Sequence, residues 1–133
     1  MSAEVRVVVG AAIIRDRHLL AARRSAPSEL AGGWELPGGK VEAAESEVDA
    51  LVRECREELG VSVHAGERVP GEWLLRDDLV LRVYLATIVA GEPQPLEDHD
   101  ELRWLPAARL DEVAWLPADV PAVAAVRSFA RLD

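Results

Sequence analysis

The sequence predicts an α/β fold in which a mixed β-sheet lies between helices. Three observations support this prediction. Runs rich in Val, Ile and Leu cover residues 4–15 and 79–90, as expected of long, largely buried strands. An amphipathic helical pattern occupies residues 46–59, and a second one closes the chain at residues 120–131. Strands that precede, separate and follow helices are typical of a sheet covered by helices.

The strands are predicted from β-branched and apolar runs bounded by turn residues. Within residues 79–90, Val80, Arg82 and Tyr84 are expected on one face of the strand and the intervening residues on the other. The predicted extended segments, in order, are residues 4–15, 19–23, 34–36, 61–64, 67–76, 79–90 and 102–105.

Breaker residues predict the connections. Pro27, Gly32 and Gly33 make residues 24–34 a loop, and the paired glycines of residues 37–39 predict a sharp turn with a close backbone approach. Further loops are expected at residues 91–100, which are acidic, and at residues 116–119.

Ser46 is the expected N-cap of the first helix, and Gly60 the expected C′ residue. Its apolar stripe is predicted to be Val48, Leu51, Val52, Cys55 and Leu59.

Two further helices are expected near the end of the chain. Pro106 fits the first turn of a short helix that continues to residue 113. The closing helix is predicted to bury Val123, Val126 and either Phe129 or Ala130.

Composition restricts the class of protein. The 133 residues, 50% hydrophobic and 29% charged, are expected to form a single domain over residues 1–133. A formal net charge of −9 argues against a nucleic-acid polymer as partner, and a small polyanion would need divalent cations to bridge the repulsion.

The single cysteine, the short apolar runs and the lack of a signal-peptide pattern predict a cytoplasmic protein without a membrane partner. No obligatory protein partner is apparent. The three histidines show no ligand spacing and Cys55 faces the predicted core, so neither a zinc site nor a thiol nucleophile is expected.

Three carboxylates lie on one side of the first helix, because Glu54, Glu57 and Glu58 are three and four residues apart. One interpretation is a solvated face held by pairs such as Arg53 with Glu57. The other is a cation site, because crowded carboxylates repel one another unless a cation lies between them. Hard oxygen ligands suit Mg²⁺, for which Mn²⁺ can substitute.

The spacing identifies a resemblance. Gly39, five residues, Glu45, seven residues, Arg53-Glu54-Cys55, one residue, Glu57-Glu58, one residue and Gly60-Val61 match the box of the Nudix hydrolase family over residues 39–61. Cys55 stands where an aliphatic residue is more usual. The resemblance implies a Nudix α/β/α sandwich with a mixed β-sheet between helices.

The resemblance also implies roles for the residues of the box. Glu54, Glu57 and Glu58 would bind the metal together with the backbone carbonyl of Gly38, and Glu54 is our first choice for the base that accepts the proton of the attacking water. Arg53 would orient the glutamates, and Glu45 would fix the loop to the helix.

The segments LAARR, WELPGGK, DELRWLP and LPAD resemble the MutT-like group of nucleoside triphosphate pyrophosphohydrolases. That resemblance implies release of pyrophosphate from a nucleoside triphosphate by attack at the β phosphorus. One alternative is a sanitising activity on 8-oxo-dGTP. An alternative of another class is a Nudix-fold binding module without turnover, which predicts missing box carboxylates, and none is missing.

Asp119 is the most informative position for the base. An ionised Asp accepts hydrogen bonds only, which favours the exocyclic amine of cytosine and hence CTP, dCTP or a modified cytosine nucleotide. Asp119 could also cap the final helix. Arg24 could contact base or sugar, or be an exposed loop residue.

The remaining predicted substrate and metal residues could instead have purely structural roles. Leu36 and Leu81 would be apolar walls for the base or core residues. Lys40 and Arg82 would contact phosphates. Asp98 or Glu101 would add a carboxylate that binds metal or acts as the general base, or would remain solvated.

Overall fold

The computed structural model describes residues 5–133, so residue 4 of the first predicted strand lies outside the described residues. The strands are β1 (Arg6–Arg15), β2 (His18–Arg24), β3 (Trp34–Glu35), β4 (Gly38–Lys40), β5 (Ser62–Arg68), β6 (Trp73–Arg76), β7 (Leu79–Ala90) and β8 (His99–Pro106). The helices are α1 (Glu47–Leu59), a 3₁₀ helix (Ala107–Glu112) and α2 (Asp119–Ala130).

The strands of residues 5–133 form a mixed sheet with β1 at its centre. The order β3-β2-β1-β7-β5 is extended by β4 on β1, β6 on β7 and β8 on β2. Only the pairing of β1 with β7 is parallel among the strands described. Opposite β7, β1 pairs with β4 at Val8–Gly10 and then with β2 at Ile14 and Arg15.

Helices cover both faces of the sheet, as the sequence predicts. On one face, α2 packs Val123 and Val126 into a core that also contains Leu110 of the 3₁₀ helix. On the other face, α1 packs Leu51 and Leu59 against the sheet. The α/β/α sandwich is thus confirmed, with α1 and α2 on opposite sides.

Residues 37–39 differ from their prediction. They were expected to form only a sharp turn, but Gly38–Lys40 is a strand that pairs with β1. The close approach expected of the glycines is present, because a Cβ at Gly38 would lie 1.8 Å from the carbonyl oxygen of Val9. A residue with a side chain therefore cannot occupy position 38 without moving β1.

Other boundaries and faces also differ. The predicted strand at residues 67–76 is divided between β5 and β6, and β8 starts at His99, earlier than residue 102. In α1, Val48 is 42% exposed, so the buried stripe begins with Ala50. In α2, Phe129 is 36% exposed and Ala130 packs against the core. Val48 and Phe129 lie near helix ends, where a smaller part of the helix circumference packs against the core.

No helix within residues 5–133 has the length and apolar character needed to span a bilayer.

Candidate active site

Helix α1 buries its apolar stripe against the sheet, and this orients the acidic arc on another side of the helix. Ser46 begins the helix by accepting a hydrogen bond from a first-turn amide at 3.0 Å, and Gly60 ends it in the left-handed conformation with φ 71°. Both predicted caps are confirmed. Leu51, Cys55 and Leu59 are fully buried. The carboxylates therefore face the segment that contains β4.

Two of the carboxylates lie directly against the backbone of β4. The amide of Gly38 donates a hydrogen bond to Oε1 of Glu58 at 2.9 Å. A Cβ at Gly39 would lie 2.4 Å from Cδ of Glu54 and 2.6 Å from each of its carboxylate oxygens. Gly39 thus makes the space that Glu54 occupies, a requirement that the sequence motif alone does not reveal.

Arg53 holds the acidic arc together. Its guanidinium forms a two-pronged ion pair with Glu45, Nε to Oε2 at 2.8 Å and Nη2 to Oε1 at 3.0 Å. It also donates to Glu54 at 2.8 Å, to Glu57 at 3.3 Å and to the carbonyl of Lys40 at 3.1 Å. These are the contacts that an orienting role requires.

The electrostatic environments of the carboxylates differ. The hydrogen bond from Arg53 lowers the pKa of Glu45 to about 2. Burial raises the pKa of Glu58 to about 7, against the opposing effect of the Gly38 amide. Burial also raises the pKa of Glu54, although Arg53 opposes it. Glu54 and Glu58 are therefore desolvated acids whose charge is incompletely compensated by the protein.

This donor set fits a divalent cation. Glu54, Glu57 and Glu58 offer hard carboxylate oxygens from one helical arc, and such oxygens are the ligands that Mg²⁺ and Mn²⁺ prefer. A cation would compensate the charge that burial leaves unfavourable in Glu54 and Glu58.

Glu35 and His99 belong to the site but were missed by the sequence analysis. Carboxylate oxygens of Glu35 and Glu58 and a ring nitrogen of His99 lie within 4.8 Å of one another. Burial lowers the pKa of His99, but the hydrogen bond to Glu35 and the charge of Glu58 outweigh it, so the pKa is raised. His99 and Glu35 are 64 residues apart. No local spacing signals that separation.

A cleft of about 510 Å³ opens beside β4. Leu30, Leu74, Leu75 and Leu116 give it an apolar rim. Five of the six predicted substrate-binding residues line it: Arg24, Leu36, Lys40, Leu81 and Asp119. The cleft also reaches Gly38 and Gly39. Leu36 and Leu81 also belong to the core, and their contact with a base stays a prediction.

Asp119 does not cap the closing helix, which corrects one of its two sequence interpretations. It is the first residue of α2, and its side chain makes no capping hydrogen bond. Its Oδ2 instead accepts a hydrogen bond from the amide of Leu36 at 2.9 Å. The residue is 6% exposed, and burial raises the pKa of its carboxyl to about 7.

Arg24 is held in place at the edge of the cleft, and so is not a free loop residue. Its Nη1 donates to Oε2 of Glu35 at 3.1 Å, and its Nε donates to the carbonyl of Ala26 at 2.9 Å. Asp98 lies near it, with an oxygen 3.8 Å from Nη2.

Arg82 is the one predicted substrate-binding residue that does not line the cleft, and its phosphate contact stays a prediction. Its guanidinium donates to Glu47 at 2.6 Å and to Glu72 at 2.9 Å. Side chains alternate along a strand, so the orientation that brings Leu81 to the cleft turns Arg82 to the other face of β7.

The predicted extra carboxylates also have other partners. Glu101 pairs with Arg23 at 3.2 Å and with Arg103 at 2.8 Å, and Asp98 is 64% exposed in its side chain. From this segment, His99 is the residue that reaches Glu58. The metal-binding prediction for Asp98 or Glu101 gains no support from these contacts.

Comparison with known proteins agrees with this geometry. The sequence model of the NUDIX domain matches residues 4–126. A Mycobacterium tuberculosis protein named "Putative 8-oxo-dGTP diphosphatase 2" is 47% identical over 117 residues, which cover 86% of this chain and 82% of that protein. The CTP pyrophosphohydrolase of Escherichia coli is 39% identical over 116 residues, which cover 86% and 85%.

A solved structure shares the fold at a similar level. The MutT NUDIX hydrolase of Burkholderia pseudomallei superposes with a TM-score of 0.80 at 34% identity, over 93% of this chain and 99% of that one. The chain therefore belongs to the Nudix family. It is a Nudix hydrolase, and the resemblance inferred from residues 39–61 is confirmed.

Proposed function

We propose that this Nudix hydrolase acts in the cytoplasm on free nucleoside triphosphates, releasing pyrophosphate and the monophosphate. The observation that carries the proposal is the position of the cleft, which extends to Gly38 and Gly39, the residues that contact Glu58 and Glu54. A nucleotide with its base in the cleft has its phosphates beside the acidic helix.

Glu54, Glu57 and Glu58 would hold Mg²⁺ or Mn²⁺, with the carbonyl of Gly38 as a further ligand. When bound, the cation neutralises phosphate charge and acidifies the attacking water. This arrangement explains how a chain with a formal net charge of −9 can bind a polyanion.

In the proposed reaction, a water oxygen bonds to the β phosphorus while the bond from that phosphorus to the α–β bridging oxygen breaks. The bridging oxygen leaves with the monophosphate, and the water oxygen remains in pyrophosphate. Glu54 accepts the proton of the water, a role that its raised pKa favours. Arg53 keeps Glu54 and Glu57 in position.

The cleft supports cytosine as the preferred base, and so CTP, dCTP or a modified form. With Oδ2 of Asp119 bound to the Leu36 amide, Oδ1 is left to accept from the exocyclic amine. Arg24 would donate to the base carbonyl, Leu36 and Leu81 would contact the ring, and Lys40 at the rim would bind a phosphate.

A second candidate is hydrolysis of 8-oxo-dGTP, which would make the protein a nucleotide-pool sanitation enzyme. The pKa of Asp119, raised to about 7 by burial, favours it. A neutral carboxyl can donate a hydrogen bond to a guanine carbonyl as well as accept one. The activity in the name of the mycobacterial relative supports the same candidate.

A product assay with Mg²⁺ across natural and oxidised triphosphates tests both candidates. The highest kcat/KM is expected for a cytosine nucleotide, and a preference for 8-oxo-dGTP would favour the second candidate. In ¹⁸O-labelled water the label is expected in pyrophosphate. Label in the monophosphate would contradict attack at the β phosphorus. Absence of turnover on every triphosphate would overturn the proposed function.

A further inference from the structure

Partly buried polar side chains connect the cleft with the acidic helix. Oε2 of Glu35 accepts from Nη1 of Arg24 at 3.1 Å and lies 2.9 Å from Nε2 of His99. The oxygens of Glu35 and Glu58 and a nitrogen of His99 form a group within 4.8 Å. A line of contacts therefore runs from Arg24, at the cleft, to a carboxylate of α1.

Strand pairing creates this line. In the register of β2 with β8, Arg24 lies opposite His99, and in the register of β2 with β3, Ala22 lies opposite Glu35. The pairing of β2 with β8 shifts between Arg23 and Arg24, directly beside the contact. The three side chains meet because β2 is the common neighbour of β3 and β8.

The side chain of His99 carries an energetic cost that packing alone does not explain. A carboxylate only accepts hydrogen bonds, so Nε2 of His99 must carry the hydrogen that Glu35 receives. Nδ1 is then left buried, without a hydrogen-bond partner among the described residues. A buried polar atom without a hydrogen-bond partner is destabilising. An apolar residue at position 99 would avoid that cost but could not donate a hydrogen bond to Glu35.

Glu35 needs such a donor. Its carboxylate lies close to that of Glu58, and two buried like charges repel each other. Arg24 supplies one donor to Oε2 and His99 the other, from the side that faces the interior. Without His99, rotation of Glu35 away from Glu58 would also release Arg24.

We propose that His99 is a positioning residue that fixes Glu35 between Arg24 and Glu58, and so couples nucleotide binding in the cleft to cation binding at the helix. The proposal rests on the proposed function of the same site. It assigns His99 no contact with substrate. Its effect on Arg24 is transmitted through Glu35.

The test combines His99→Leu, His99→Gln, Arg24→Ala and the double variant His99→Leu/Arg24→Ala. Steady-state kinetics give KM for the preferred triphosphate, and titration with Mn²⁺ followed by electron paramagnetic resonance gives cation affinity without nucleotide. His99→Leu is expected to raise KM about 10-fold and to weaken Mn²⁺ binding by a similar factor. His99→Gln, whose amide can still donate to Glu35, is expected to recover most of both.

The double variant distinguishes positioning from general destabilisation. If His99 acts through Arg24, KM of the double variant equals that of Arg24→Ala alone. Leu105→Ala, a buried change elsewhere in β8, is the control: it is expected to lower the melting temperature without changing KM or Mn²⁺ affinity.

Two results would overturn the proposal. One is a double variant whose fold-increase in KM equals the product of the fold-increases of the two single variants. The other is Mn²⁺ affinity in His99→Leu equal to that of the unaltered protein. If the unaltered protein hydrolyses no triphosphate, the proposed function fails, and the Mn²⁺ titration still decides the role of His99. If it hydrolyses them but the two fold-increases in KM multiply in the double variant, only the positioning role fails.

Discussion

Asp119 and Leu36 are joined by a hydrogen bond of 2.9 Å across 83 residues of chain, from the amide of Leu36 to Oδ2 of Asp119. This bond ties the first turn of α2 to the segment that leads into β4. It fixes one oxygen of the carboxyl group in the wall of the cleft. In the proposed function, the other oxygen contacts the base.

We predict that Asp119→Asn weakens the preference for cytosine over guanine nucleotides. The amide can donate as well as accept, so the variant is expected to lower kcat/KM for CTP and dCTP relative to 8-oxo-dGTP by about 10-fold, equivalent to ~1.4 kcal/mol. Asp111→Asn, on the exposed 3₁₀ helix, is the control. An unchanged ratio would leave Asp119 a purely structural residue.

Asp119 also gives stability a pH dependence. Burial raises its pKa from 3.8 in the unfolded chain to about 7 in the folded protein. The folded state therefore binds the proton more tightly between these values, and the free energy of unfolding falls as pH rises from about 4 to 7 and then levels off. The contribution is up to ~4 kcal/mol, at ~1.4 kcal/mol per pH unit of pKa difference.

Denaturant unfolding without metal, from pH 4 to 8, measures this slope. Asp119→Asn is expected to show a shallower decline than the unaltered chain, because it lacks the titrating group. Parallel curves for the two proteins would contradict the assignment of the pH dependence to Asp119.

Gly39→Ala is expected to abolish most turnover while leaving the fold formed. The added methyl group would lie 2.4 Å from Cδ of Glu54, so the carboxylate must move away from β4. We expect at least ~100-fold lower kcat, since the metal ligand and base are displaced together. Gly66→Ala is the matched control, because its Cβ would meet its nearest neighbour at an ordinary 3.4 Å. Equal activity of the two variants would exclude this role for the glycine.

Glu57→Gln tests the metal site without disturbing the core. The side chain is 45% exposed, so the melting temperature is expected to change little. Loss of one ligand charge is expected to reduce Mg²⁺-dependent kcat by at least ~100-fold. Glu112→Gln, on the exposed surface, serves as the control. Turnover at the level of the control would exclude Glu57 as a ligand.

Cation binding is expected to weaken below neutral pH. Burial raises the pKa of Glu58 to about 7, and a protonated carboxyl is a poor ligand. The apparent affinity for Mn²⁺ should therefore fall by up to about 10-fold for each pH unit below 7. Titration calorimetry in buffers of different ionisation enthalpy would measure the proton released. Constant affinity between pH 5.5 and 8 would contradict the prediction.

The parts of the site that depend on local spacing were predictable, and those that depend on strand pairing were not. Helix α1 places its carboxylates and caps by residue count, so the sequence determined them closely. Glu35 and His99 meet only through the registers of β2 with β3 and β8, which local patterns do not specify. Arg82 does not line the cleft, because strand alternation, not charge, decides which face of the sheet a side chain occupies.

The backbone amides of Leu36 and Gly38 limit the distance between two attachment points, one for each of the helices α1 and α2. The amide of Leu36 binds the carboxylate of α2 and that of Gly38 binds a carboxylate of α1. Two residues of chain span at most ~7 Å, so these two attachment points cannot move far apart. In the proposed function, this segment holds Asp119, which would bind the base, at a limited distance from the carboxylates that would bind the cation. A substitution of Asp119 would then change which base is bound, while the position of the hydrolysed bond stays the same.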